Sequence, residues 1–224
     1  MEDSERYAAL GKLASAGLEK NRLEALTDGI FAVAMTILVL DIKLEASDAI
    51  LTDGHLIVHL LSVERTFSVY LVSFVVLAMF WISHTRQFHY VKRVDRRMLW
   101  ISLVFMLLVT LVPFTTSVLI SYETLLLPVV MYGLNLLLLA ATLIANVNYL
   151  ARHPNLATAE FTPTVSAYIH RRLAVVALIP VLAIAMSFVS TRISLYMYFL
   201  MLLVHFLPRE IDSRLPRWLR KDGS

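Results

Sequence analysis

The 224-residue sequence has no cysteine, which excludes disulfides, iron–sulfur clusters and thiolate metal sites. Charge is scarce as well. Asp, Glu, Lys and Arg make up 17% of the chain, against about 25% in soluble domains. With 6 Gly and 7 Pro, nothing resembles a collagen-like or low-complexity segment. The chain contains no P-loop, G-x-G-x-x-G, G-x-S-x-G or H-E-x-x-H. No enzymatic activity and no cofactor are therefore expected. The first 28 residues are mixed and charged, without the basic start, apolar stretch and small-residue cleavage site of a signal peptide. They read as a short amphipathic cytoplasmic segment.

What fills the sequence is apolar. Hydrophobic residues make up 58% and the mean hydropathy is +0.72. A soluble protein of this size must still cover its surface with polar groups, so this excess excludes a soluble enzyme and, equally, a disordered chain. A helix crosses a bilayer with about 20 mostly apolar residues. Uncharged runs of 20, 25, 28, 19 and 16 residues cover Thr66–Thr85, Met98–Tyr122, Thr124–Ala151, Leu173–Thr191 and Ile193–Pro208. Each is a candidate span. A sixth run, Gly29–Leu40, has only 12 uncharged residues. Flanking Leu23, Ala25, Leu26, Ile42 and Leu44 extend it to about six turns. Its polar ends suit a position inside a bundle rather than against lipid.

Lys and Arg decide the parity. Seventeen lie in four segments: the N-terminus (Arg6, Lys12, Lys20, Arg22), the second-to-third connection (Arg86, Lys92, Arg93, Arg96, Arg97), the fourth-to-fifth connection (Arg152, Arg171, Arg172) and the C-terminal tail (Arg209, Arg214, Arg217, Arg220, Lys221). Only Lys43, Arg65 and Arg192 fall between them. The positive-inside rule then makes both termini cytoplasmic and requires the doubtful first span. The basic clusters abut spans and are read as topology determinants meeting anionic headgroups, not as nucleic-acid sites. The expected fold is an all-α, six-helix membrane bundle. Its divisions are a cytoplasmic segment at 1–22, the transmembrane domain at 23–208 and a basic tail at 209–224.

Chemistry is sparse. Spans two to six hold no Asp or Glu in their interiors, which weakens proton-pump and carrier readings. His55 and His59 are spaced i, i+4 in the first external loop, with no clear third metal ligand. His84 follows Trp81 near the end of span two and suits an interfacial or hydrogen-bonded role. His205 reads as an interior histidine. Asn135, Asn146 and Asn148 suit interhelical hydrogen bonds. Pro113 and Pro180 lie within spans, where kinks are expected.

The first span concentrates the information. Thr27 and Asp28 fit a helix N-terminal signal, with Arg22 six residues earlier. Val33, Ile37 and Leu40 fall at i, i+4 and i+7; Thr36 shares their face, and Asp41 follows Ile37 by four. In one chain this is a packing stripe. Around a symmetry axis the same stripe becomes a pore, with apolar constrictions, a threonine ring and an acidic outer mouth.

Arg22-x-x-x-Leu26-Thr27-Asp28 resembles the Arg-x-x-x-Phe-Ser-Asp signature of the transmembrane protein 175 family of potassium channels. Trp81-Ile-Ser-His84 with Arg86 and Phe88, Lys92-Arg-Val-Asp-Arg-Arg-Met-Leu-Trp100, and Leu111-Val-Pro-Phe-Thr115 are similar too. Leu26 replaces the signature Phe and Thr27 its Ser; the hydroxyl survives and the ring does not. The resemblance implies a channel without a T-V-G-Y-G filter, assembled as a homotetramer in which the first helix lines the pore. It implies Val33, Thr36, Ile37 and Leu40 as pore-lining and selectivity residues, with Asp41 at the outer mouth. Arg22, Thr27, Asp28 and His84 would be the signature polar cluster. Val33 is smaller than the Ile or Leu common at its position, so Ile37 or Leu40 is expected to form the narrowest ring. The implied partners are potassium ions, further copies of the chain and membrane lipids. The rival expectation is a secondary or proton-linked transporter, with Asp28 as its titrating group; a third is a membrane scaffold without transport.

Overall fold

The computed structural model describes residues 2–42, 52–122, 124–191, 193–194 and 197–198, with side chains from residue 20 onward except at 59, 62 and 65. Six α-helices follow in chain order: α1 (Glu2–Ile37), α2 (Asp53–Ser62), α3 (Glu64–His89), α4 (Arg96–Ser121), α5 (Leu126–Arg152) and α6 (Pro163–Ser187). A 3-10 turn, Leu38–Asp41, ends α1. No strand occurs among the described residues; the one pairing of extended backbone is the isolated bridge Val91–Ala157. The chain is all-α.

Five described helices are long and apolar enough to cross a membrane: Lys20–Asp41, Thr66–His89, Arg96–Ser121, Leu126–Arg152 and Pro163–Ser187. The first contains the shortest uncharged run, and its 22 residues make the six turns that its flanks are expected to supply. The remaining expected span, Ile193–Pro208, the tail 209–224 and His205 lie almost wholly outside the described residues.

Local chemistry fixes several helix starts. Asp95 Oδ1 accepts from Met98 N at 2.9 Å and caps α4. Thr162 caps α6 through Val165 N at 3.3 Å, with Pro163 supplying the preset φ of the first turn. One sequence expectation fails here. Thr27 and Asp28 do not start a helix, because α1 already runs from Glu2. Thr27 Oγ1 instead donates to Leu23 O at 2.8 Å, the back-bond of a mid-helix threonine. α1 also runs without a break through residues 22 and 23, where the cytoplasmic segment is expected to give way to the transmembrane domain.

The core runs through all five spans, from Phe31, Ala34 and Leu38 of α1 to Val76 and Phe80 of α3, Val109 of α4, Leu136 and Leu139 of α5, and Ile179 of α6. Gly133 of α5 admits Tyr198, whose hydroxyl lies 2.5 Å from where a Cβ would stand. The two basic connections meet at one end of the bundle. Lys92 N donates to Leu156 O at 2.7 Å, Thr158 N to Tyr90 O at 2.9 Å, and Arg93 Nε to Asn155 O at 3.2 Å. Their pairing puts the α3–α4 and α5–α6 connections on one side, as the Lys and Arg partition requires.

Candidate functional site

α1 carries two unlike faces. Leu23, Thr27, Phe31, Ala34 and Leu38 recur every three or four residues and are all buried. The opposite face holds Leu26, Val33, Ile37 and Leu40, and the last three are 57%, 44% and 67% exposed. An apolar helix face left uncovered by its own chain needs lipid or another copy against it. This face opens onto an apolar groove of about 600 Å³, lined by Leu26, Gly29, Val33 and Ile37 of α1 and by Pro113 and Phe114 of α4.

Thr36 sits on the same exposed face. Its Oγ1 donates to Val33 O at 2.9 Å. The single hydroxyl proton is thereby spent within the helix, so the oxygen faces outward with acceptor capacity only. An oxygen in that state suits a cation.

The 3-10 turn changes the top of the stripe. Continued α-helical spacing would put Asp41 on the face of Ile37. With about three residues per turn, Leu40 instead eclipses Ile37, and Asp41 is carried roughly 120° further round. Asp41 is half-buried, and Ser117 Oγ of α4 donates to its Oδ1 at 2.9 Å. Asp41 thus ends the stripe turned toward α4, where Ser117 holds it.

At the other end the expected polar cluster divides into an exposed pair and a buried pair. Arg22 and Asp28 are exposed, whereas Thr27 and His84 are buried. Asp28 Oδ1 accepts from Trp81 Nε1 of α3 at 2.7 Å. Thr27 Oγ1 lies 3.5 Å from Met106 Sδ of α4. The His84 ring is stacked between Phe88 at 4.2 Å and Phe105 at 5.1 Å, and Phe105 also meets Phe31 of α1 at 5.8 Å. His84 Nε2 has no partner among the described residues. Thr27, Asp28 and His84 thus clamp α1 to α3 and α4 through separate contacts rather than one network.

Other candidates resolve differently. Asn148 Oδ1 bonds His170 Nε2 at 2.7 Å, joining α5 to α6 as expected. Asn135 is buried with both amide atoms unbonded, so the same expectation fails for it, and the buried Asn146 leaves its Oδ1 unbonded. His55 lies on α2, whose cap Thr52 accepts from His55 N at 3.3 Å, while the side chain of His59 is outside the described ones. No group of three or more potential metal ligands occurs among the described residues. Sequence reasoning missed Ser117 and Met106 as partners of Asp41 and Thr27. Trp81 alone left a signal, one turn before His84 on the same helix.

The sequence profile of the family described as endosomal/lysosomal potassium channel TMEM175 matches residues 22–113. A potassium channel of Streptomyces collinus is 38% identical over 104 residues, which cover 46% of this chain and 49% of the relative. The match thus spans about half the length of that relative. An endosomal/lysosomal proton channel TMEM175 of Danio rerio is 24% identical over 203 residues, 89% of this chain and 38% of the relative. The crystal structure of a lysosomal potassium-selective channel TMEM175 homolog from Chamaesiphon minutus superimposes with a TM-score of 0.70. It is 27% identical, and the overlap covers 88% of this chain and 99% of that one.

Proposed function

We propose, from the match to the TMEM175 family over residues 22–113 and the shared fold, that the chain is a potassium-preferring cation channel: a homotetramer in the cell membrane, passive, with α1 of each subunit lining the ion path. The observation that carries this reading is the split character of α1, whose exposed face is an unbroken apolar stripe holding one hydroxyl. Gathered around a fourfold axis, Val33, Ile37 and Leu40 form apolar rings that strip water from a passing ion. Thr36 oxygens repay part of that cost, and only to cations, since their protons are already committed. The eclipsed Ile37 and Leu40 make the narrowest stretch, a hydrophobic gate.

Electrostatics favours cations at the outer end. A helix ends in carbonyls without intrahelical partners, equivalent to about half a negative charge. Four such ends converge at the mouth, each with an Asp41 beside it. With 17 basic residues on the other side and only three on this one, both termini lie in the cytoplasm. Thr27, Asp28 and His84 hold α1 in register with α3 and α4.

The test is reconstitution in a planar bilayer with potassium on one side and sodium on the other. A reversal potential near the potassium limit is expected, and Ile37→Asn should raise conductance and move that potential toward zero. Channels insensitive to polar substitution at Val33, Thr36, Ile37 and Leu40 would remove the pore assignment. The name of the Danio rerio relative favours the proton as a second permeant ion. A pH gradient imposed on the same bilayer separates the cases: current that reverses with the proton gradient assigns proton permeation. Slow, saturable flux without unitary currents would instead assign the transporter reading.

A further inference from the structure

We propose that Ser117 of α4 is a positioning residue for Asp41, holding its carboxylate beside the outer mouth so that it attracts cations without chelating them. The inference rests on the reading of α1 as the pore helix. Four observations carry it. The 3-10 turn Leu38–Asp41 swings Asp41 off the line of Ile37 and Leu40 toward α4. Ile42 N donates to Val39 O at 3.1 Å and closes this turn, so the backbone at Asp41 is fixed. Ser117 Oγ donates to Asp41 Oδ1 at 2.9 Å in a half-buried setting, which fixes the side chain as well. The Ser117 bond engages Oδ1 alone, and Oδ2 stays outside it.

Physical chemistry explains why a donor is needed there. A carboxylate at a helix C-terminus is repelled by the carbonyls around it. Without a fixed partner its side chain is free to turn from α4 toward the axis. Four carboxylates free to converge would form an all-oxygen cage of the kind that binds a divalent cation such as calcium. A channel that passes monovalent ions is blocked by such a cage. Ser117 keeps each carboxylate at its own subunit. The negative potential reaches the mouth while the ligands stay apart.

Calcium added to the outer side of the reconstituted full-length channel reads this directly. A hydrogen bond to a charged group is worth enough to shift an equilibrium roughly tenfold. Ser117→Ala is therefore expected to lower the half-blocking calcium concentration roughly tenfold, and Ser117→Thr, which keeps the hydroxyl, to restore it. Asp41→Asn is expected to raise that concentration and to reduce conductance at low potassium. Ser117→Ala added to Asp41→Asn is expected to change nothing further. If Ser117→Ala leaves block unaltered while Asp41→Asn alters it, or if its effect persists without the Asp41 charge, the positioning role is overturned and the pore reading stands. If Asp41→Asn changes neither block nor conductance, Asp41 is not at the mouth, and that part of the pore reading falls together with this inference.

Discussion

The two faces of α1 are almost equally apolar and do opposite things. One, from Leu23 to Leu38, is buried among α3 and α4. The other, from Leu26 to Leu40, is left open by its own chain. Hydropathy does not separate them, since both satisfy a helix in a membrane. Their polar residues do. Thr27, on the buried face, bonds its own helix and sits against Met106. Thr36, on the open face, is exposed and donates within its own helix, to Val33 O. On the proposed reading, a hydroxyl kept within an open apolar stripe and bonded only within its own helix marks the surface that lines the ion path.

The largest break in that comparison comes from the buried face. Phe31 is fully buried and packs on Phe105, which in turn stacks on His84. Phe31→Ala is expected to cost about 3–5 kcal/mol and to dissolve the assembled channel in detergent at temperatures the wild type survives. Size-exclusion chromatography after stepwise heating measures this. Unchanged thermal survival would mean that the buried face is not what holds α1. Next is the clamp at Asp28. Trp81→Phe removes the indole donor while keeping an aromatic body, and is expected to cost about 1–2 kcal/mol on the same assay. Restoration by additional Asp28→Asn is not expected, because the helix would still lack its tie to α3.

Much of this architecture was readable before any coordinates, for a physical reason. A bilayer forbids charge over a fixed length, so uncharged runs mark spans whatever their neighbours do. The first span was found by a different route, from the side on which Lys and Arg must fall. The open stripe Val33, Thr36, Ile37 and Leu40 was readable too, because α-helical spacing holds through Ile37. The turn of Asp41 toward α4 is not legible, because one tighter turn changes the angular step and no residue in Leu38–Asp41 announces it. Its partner Ser117 is 76 positions away, a contact that only packing creates. Thr27 and Asp28 misled as a cap because the local signal is genuine but the helix had already begun upstream. Asn135 and Asn146 show the same limit in reverse: burial follows from the pattern, whereas a bonding partner does not.

The open face is expected to answer in current rather than stability. Ile37→Asn places an amide where Leu40 eclipses the ring, and wetting the constriction should raise conductance several-fold, equivalent to about 1 kcal/mol in the barrier. Thermal survival should stay near wild type, since Ile37 is 44% exposed in its own chain. A loss of assembly with no gain in current would make this stripe a packing surface between copies.

The smallest effect is the most specific. Thr36→Val keeps the shape and removes the hydroxyl, and stability is expected to move by less than about 0.5 kcal/mol because no partner outside the helix is lost. The apolar rings remain, so conductance should fall or hold rather than rise. What should change is the ratio of potassium to sodium permeability, by a factor of about two to five, since dehydration at Ile37 and Leu40 would lose its only compensating oxygens. Thr27→Val is the matched control on the buried face. It removes the same atoms and should leave the reversal potential where it was. If both substitutions shift the ratio equally, selectivity is set by the packing of α1 as a whole. If only Thr36→Val does, it is set by the oxygen ring on its open face.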